Sequence, residues 1–147
     1  MSTVHVEVSG IVPARPEMVY TILADYRIGH PAILPRPYFT SLILQEGGKG
    51  AGTVIKVQMD IMGSKRTYQM IVSEPEPGRV LVETDANAGV ITTFTVEPEG
   101  NGEQARVTIA TDTQVGSTLD RWFTPIALRR IYQRELAMLA DYVRSGS

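Results

Sequence analysis

Most of the chain alternates apolar and polar residues, and only two stretches change to a helical period. Val4, Val6 and Val8 alternate with His5, Glu7 and Ser9, the mark of a half-buried strand, which Val12 and Pro13 end. Residues 14–26 read as an amphipathic helix, with Val19, Ile22, Leu23 and Tyr26 on one face. Pro16 suits its first turn, where the missing N–H costs nothing, and Glu17 complements the positive end of the helix dipole. Residues 26–37 hold Gly29, Pro31, Pro35 and Pro37, too many breakers for a long helix. A short helical turn around 31–34, or a shaped loop, is expected there, packed through Ile28, Ile33 and Leu34.

A meander follows. Strands are expected at 39–44, 53–61, 65–73, 79–84, 90–96 and 104–113, separated by turns rich in Gly, Pro, Asn and Asp. Ile55, Val57, Met59 and Ile61 fall on one face of their strand, and Lys56, Gln58 and Asp60 on the other, as a period of two requires. Tyr68, Met70 and Val72 share a face, as do Val107, Ile109 and Thr111. Connections this short favour antiparallel hairpins.

The second helical stretch, 118–144, closes the chain. Ser117 or Thr118 can cap it, and Pro125 should kink or break it. Leu128, Ile131, Tyr132, Leu136, Leu139, Tyr142 and Val143 share one face, with Arg130, Arg134, Asp141 and Arg144 elsewhere. Glu135 falls inside that apolar stripe. A lone C-terminal helix on an antiparallel sheet must be gripped by the sheet, and this packing leaves room for a cavity between them.

Composition narrows the function. A chain of 147 residues reads as one domain, 1–147, with a real core. Hydrophobic residues make up 43% and charged residues 20%, ordinary for a globular protein. The net charge of -2 and pI of about 5.7 provide no basic field for nucleic acid; a solvated helix face accounts for Arg129, Arg130 and Arg134. There is no cysteine, which excludes disulfides and thiolate metal sites and fits a cytoplasmic location. The N-terminus lacks a secretory pattern, and no apolar run approaches the roughly 20 residues needed to span a bilayer.

Candidate chemistry is sparse. Residues 46–53, EGGKGAGT, superficially look like a phosphate loop. Lys49 is followed by Gly50 and then a strand rather than by Ser or Thr and a helix, so a hairpin turn is the reading. The two histidines, His5 and His30, are too few for a structural zinc site. His5 lies on the polar side of its strand. His30, in the proline-rich loop, is either an acid, base or hydrogen-bond donor near a cavity mouth or a partly exposed loop residue. Glu135 is either a polar anchor or proton donor in the cavity, or a structural ion pair or a side chain bent out to water. Tyr26 and Tyr68 are the tyrosines best placed for a pocket, and Met59 and Met70 would give it an adaptable lining.

The order of elements resembles the START-like, SRPBCC helix-grip superfamily, which includes polyketide cyclases and aromatases, Bet v 1-like plant proteins and lipid-transfer START domains. Residues 12–26, VPARPEMVYTILADY, are similar to the family's opening, A-x-P-x-x-V-W/Y-x-x-L-x-D. EPEPGRVLVET resembles its P-x-R-L-V-W-E strand, with Val82 where an aromatic is frequent, and TTFTVEPEGNGEQARVTI resembles its late hairpin. The resemblance implies an α+β helix-grip fold: a curved antiparallel sheet of about seven strands around the long C-terminal helix, with two short helical segments after the first strand. It also implies a small hydrophobic or amphipathic ligand held between sheet and helix, without metal or cofactor.

The residues expected to line that pocket are Leu23, Tyr26, His30, Ile33, Met59, Tyr68, Met70, Phe94, Trp122, Ile126 and Glu135. Trp122 and Ile126 enter because such cavities widen at the first turns of the last helix. Some family members catalyse cyclisation or dehydration, but no portable catalytic motif transfers. His30, Tyr26, Tyr68 and Glu135 are the acid–base candidates of an enzyme reading. A protein-interaction module is the third alternative, and a homodimer is left open.

Overall fold

The alternation at the start of the chain becomes β1 (Ser2–Val12), with Val4 and Val6 in the core and His5 and Glu7 in solvent. In the computed structural model, which describes residues 2–146, there follow α1 (Pro16–Ala24), α2 (Gly29–Ala32), β2 (Phe39–Glu46), β3 (Val54–Ile61), β4 (Ser64–Glu76), β5 (Val80–Asp85), β6 (Val90–Glu99), β7 (Gln104–Val115) and α3 (Thr118–Arg144). The seven strands form one curved antiparallel sheet in the order β1-β7-β6-β5-β4-β3-β2. Hairpins set every neighbour except β1 and β7, which pair without a register shift from Ser2↔Val115 to Val12↔Ala105. This is the helix-grip fold expected.

α3 lies along β1 and β7. Leu128, Ile131, Tyr132, Leu136 and Leu139 are buried as one stripe, each aliphatic one contributing about 1.5–3 kcal/mol by its removal from water. The Ser117 hydroxyl caps the helix by accepting from the Asp120 N–H at 3.1 Å.

Several details depart from the sequence expectation. α3 runs through Pro125 without a break. Proline leaves the Arg121 carbonyl without its helical donor, and Arg121 is on an exposed turn where water can bond it. α2 starts before residue 31, at Gly29. A Cβ at Gly29 would fall 2.5 Å from the Ile22 carbonyl oxygen, so glycine lets α2 fold back onto α1. β4 continues beyond residue 73 to Glu76, with its register shifting between Ser73 and Glu76, so Pro75 falls where the regular ladder is interrupted.

Candidate functional site

A cavity of about 380 Å³ opens between the first half of α3 and the concave face of β3–β7. β3 turns Ile55, Val57, Met59 and Ile61 into it and β4 turns Tyr68 and Met70, following the period of two in those strands. His30, Phe94, Ile126 and Glu135 also line it. The remaining expected residues lie elsewhere. Leu23 and Ile33 are wholly buried in the core, and Tyr26 sits behind His30 and Glu83 rather than on the cavity wall. Trp122 is 72% exposed and is not part of the cavity lining, which its neighbour Phe123, 55% exposed, reaches instead.

The cavity wall carries a group of buried polar side chains. At the end of α1 the Leu23 carbonyl needs a donor, and His30 Nδ1 supplies it at 2.7 Å. A carbonyl only accepts, so Nδ1 carries the hydrogen and Nε2 is the nitrogen left to face Glu83 Oε2, 3.5 Å away. That is an ion-pair distance, long for a hydrogen bond. The same carboxyl oxygen accepts the Tyr26 hydroxyl at 2.7 Å. Tyr26 stacks on the imidazole, with ring centroids 4.5 Å apart and planes 17° from parallel, while Phe94 meets it edge-on at 5.3 Å. The imidazole is therefore clamped between two rings and held by its Nδ1 hydrogen bond, with Nε2 facing Glu83. Burial, and then the charge of Glu83, raise the Tyr26 pKa well above its ordinary value, which keeps the phenol a donor.

Glu135 neither forms an ion pair nor bends out to water. It is 2% exposed, its Oε2 is buried without a hydrogen-bond partner, and no cation among the described residues lies within ion-pair distance. Burial, and secondly Glu83, push its pKa well above the usual carboxylate range. The neutral acid is the form the cavity favours. Nearby, the Thr92 and Thr111 hydroxyls are 2.8 Å apart and Thr111 meets the Tyr132 hydroxyl. His30 is thus fully enclosed rather than a loop residue at the rim. Among the described residues, no group of three or more His, Asp or Glu could hold a metal ion.

Sequence reasoning missed Glu83, Thr92, Thr111, Tyr132, Arg66, Leu34 and Phe123, all on the cavity lining. Glu83 was hidden by the run around it. The sequence reading assigned no inward face to this strand, and the buried set is Leu81, Glu83 and Asp85. The signal available was Leu81, which pairs with Phe94 and carries Glu83 to its own face.

Fold and cavity together define a helix-grip protein with a largely apolar chamber and a buried carboxyl–imidazole group on its wall. The family model described as polyketide cyclase / dehydrase and lipid transport matches residues 3–144, and the chain belongs to that family. The solution structure of a KanY protein is similar at 29% identity, covering 98% of this chain and 99% of that one, with a TM-score of 0.85. The Zhui aromatase/cyclase from Streptomyces sp. R1128 shares 17% identity over 97% and 94% of the two chains, with a TM-score of 0.74. Norcoclaurine synthase from Thalictrum flavum, solved with dopamine and hydroxybenzaldehyde, shares 14% over 99% and 89%, with a TM-score of 0.72. Comparison with curated proteins gives no match. No helix among the described residues is long and apolar enough to cross a membrane.

Proposed function

We propose that the chain is a single cytoplasmic domain that binds one small apolar or amphipathic molecule in the cavity. The apolar body packs against Ile55, Val57, Met59 and Met70, and a hydroxyl or carbonyl reaches Glu135. The observation that carries this reading is the buried, unpartnered Oε2 of Glu135 on the lining of a chamber of about 380 Å³. A buried polar atom without a partner costs about 1–3 kcal/mol, and a ligand oxygen would offset that. The volume falls in the ordinary range for small-molecule sites. Native mass spectrometry of gently purified protein, with a thermal-shift series of medium-chain alcohols, ketones and alkanes, tests it. Oxygenated ligands should raise Tm more than alkanes of equal length. Met70→Trp, which fills the chamber, should abolish the shift. No bound mass and no thermal shift from any probe would overturn the reading.

A second reading has its own support: a neutral carboxyl and a carboxyl–imidazole pair share one chamber, as acid–base chemistry requires. The family's description and the aromatase/cyclase among the structural relatives suggest cyclisation or dehydration of a ketone. On this reading Glu135 donates a proton and the His30–Glu83 pair accepts one. Turnover of a model polyketide should fall at least tenfold in both Glu135→Gln and His30→Gln; unchanged turnover in both would exclude it.

A further inference from the structure

The mouth of the chamber leaves large apolar side chains in solvent. Leu119, Trp122, Phe123 and Ile126 of α3 are 66, 72, 55 and 54% exposed, and Met62, in the turn between β3 and β4, is 88% exposed. At about 100° per residue the four helix positions share one side, roughly opposite the buried stripe of Leu128, Ile131, Tyr132 and Leu139. A surface helix normally carries polar residues there, and a contiguous exposed apolar patch marks an interaction surface. Leu119, Phe123, Ile126 and Met62 also line the chamber, so the patch is continuous with its opening.

Charge is segregated in the same place. The segments that frame the mouth, residues 34–39, 60–66 and 119–130, carry six basic residues (Arg36, Lys65, Arg66, Arg121, Arg129 and Arg130) and two acidic ones (Asp60 and Asp120); Arg121 turns away to bond Ser2 of β1 at 3.4 Å, which leaves five cations for the mouth. The rest of the chain keeps eight of the fourteen basic residues and fourteen of the sixteen acidic ones. A mildly acidic protein therefore turns a locally cationic, apolar face outward around its cavity.

We infer that this face docks on an anionic lipid membrane surface, with the mouth of the chamber against the bilayer. The two contributions match those of interfacial helices, in which aromatic and aliphatic side chains enter the headgroup boundary while Lys and Arg meet anionic lipid. A second copy of the chain fits less well. Self-association through this face would bring two sets of five cations together. The inference does not depend on what the chamber holds.

The single tryptophan of the chain lies inside the patch and reports directly. Phosphatidylcholine vesicles with and without phosphatidylglycerol are added to the intact protein, and Trp122 emission and co-sedimentation are followed. A blue shift and sedimentation with the anionic vesicles, both reversed by high salt, are expected. Arg129→Glu with Arg130→Glu should weaken binding at least tenfold, and so should Phe123→Glu. All these positions are exposed, and circular dichroism checks that the variants fold. Glu135→Leu should bind vesicles like the wild type even where it changes ligand binding, so failure of the chamber reading and failure of this one are distinguishable. Unchanged Trp122 emission, equal binding to neutral vesicles, or a salt-insensitive dimer that buries Trp122 would each overturn the inference.

Discussion

Replacing Glu135 by Gln tests the electrostatics of the chamber through the pH dependence of stability. The folded-state pKa of Glu135 is raised, first by burial and then by Glu83, whereas in the unfolded chain the carboxyl ionises near its ordinary value of about 4.3. Between those two values the folded protein holds a proton that the unfolded chain has released. Stability therefore falls as pH rises through the window and levels off only above the folded-state pKa. One proton corresponds to a slope of about 1.4 kcal/mol per pH unit. Solvent screening does not reduce it much, because the side chain is 2% exposed. Gln keeps a neutral polar group in the same place. Its own unsatisfied hydrogen bond, worth about 1–3 kcal/mol, shifts the whole curve without tilting it. The measurement is thus a difference of slopes: urea unfolding of wild type and Glu135→Gln from pH 5 upward, followed by far-ultraviolet circular dichroism, since exposed Trp122 is a poor reporter of the core. The wild type should lose stability relative to the variant by about 1 kcal/mol or more per pH unit just above pH 5. Parallel curves would mean that Glu135 ionises in the fold as readily as in water, and the argument for a neutral acid in the chamber would fail.

Other positions make independent tests. Tyr26→Phe removes a buried hydrogen bond to a carboxyl and should cost about 1.5–3 kcal/mol in urea unfolding; a loss below about 0.5 kcal/mol, the range of neutral surface changes, would refute the role given to that contact. Gly29→Ala places a methyl 2.5 Å from the Ile22 carbonyl oxygen and should destabilise by about 1–3 kcal/mol, read as a lower Tm; an unchanged Tm would show that α2 can move aside freely. His5, hydrogen-bonded to Asp112 at 2.8 Å and to Glu7 at 3.2 Å, has its pKa raised above 6.5, chiefly by Asp112. Its contribution is complete below the unfolded value and is lost as pH rises through the folded one. The site is exposed, so the effect on stability is small. An NMR titration should place the His5 midpoint above 6.5 and return it toward that value in Asp112→Asn; a midpoint unmoved by that change would disprove the assignment.

The local grammar of the chain was enough to determine its elements and their order. Strict alternation in 4–8, 53–61 and 104–113 declared strands, turn residues separated them, and the stripe from Leu128 to Leu139 declared the closing helix. Those features depend on periods of two and 3.6 residues, which are properties of the backbone and visible in sequence. The chamber wall on β3 and β4 was legible for the same reason. The polar group was not. Whether Leu81 with Glu83 or Val80 with Val82 faces inward depends on the register of β5 against β6, and both faces of that strand look apolar enough. His30 is buried because α2 folds over the end of α1, a packing permitted by one glycine. Trp122 was misplaced because the side of α3 that meets the cavity depends on where β1 and β7 grip the helix further along. Glu135 stood out in sequence as a carboxyl in an apolar stripe, but its lack of a partner is a fact about three elements meeting in space. Periodicity is set residue by residue; charge balance and burial at a point are set by every chain segment that reaches it, and only the tertiary structure brings those together.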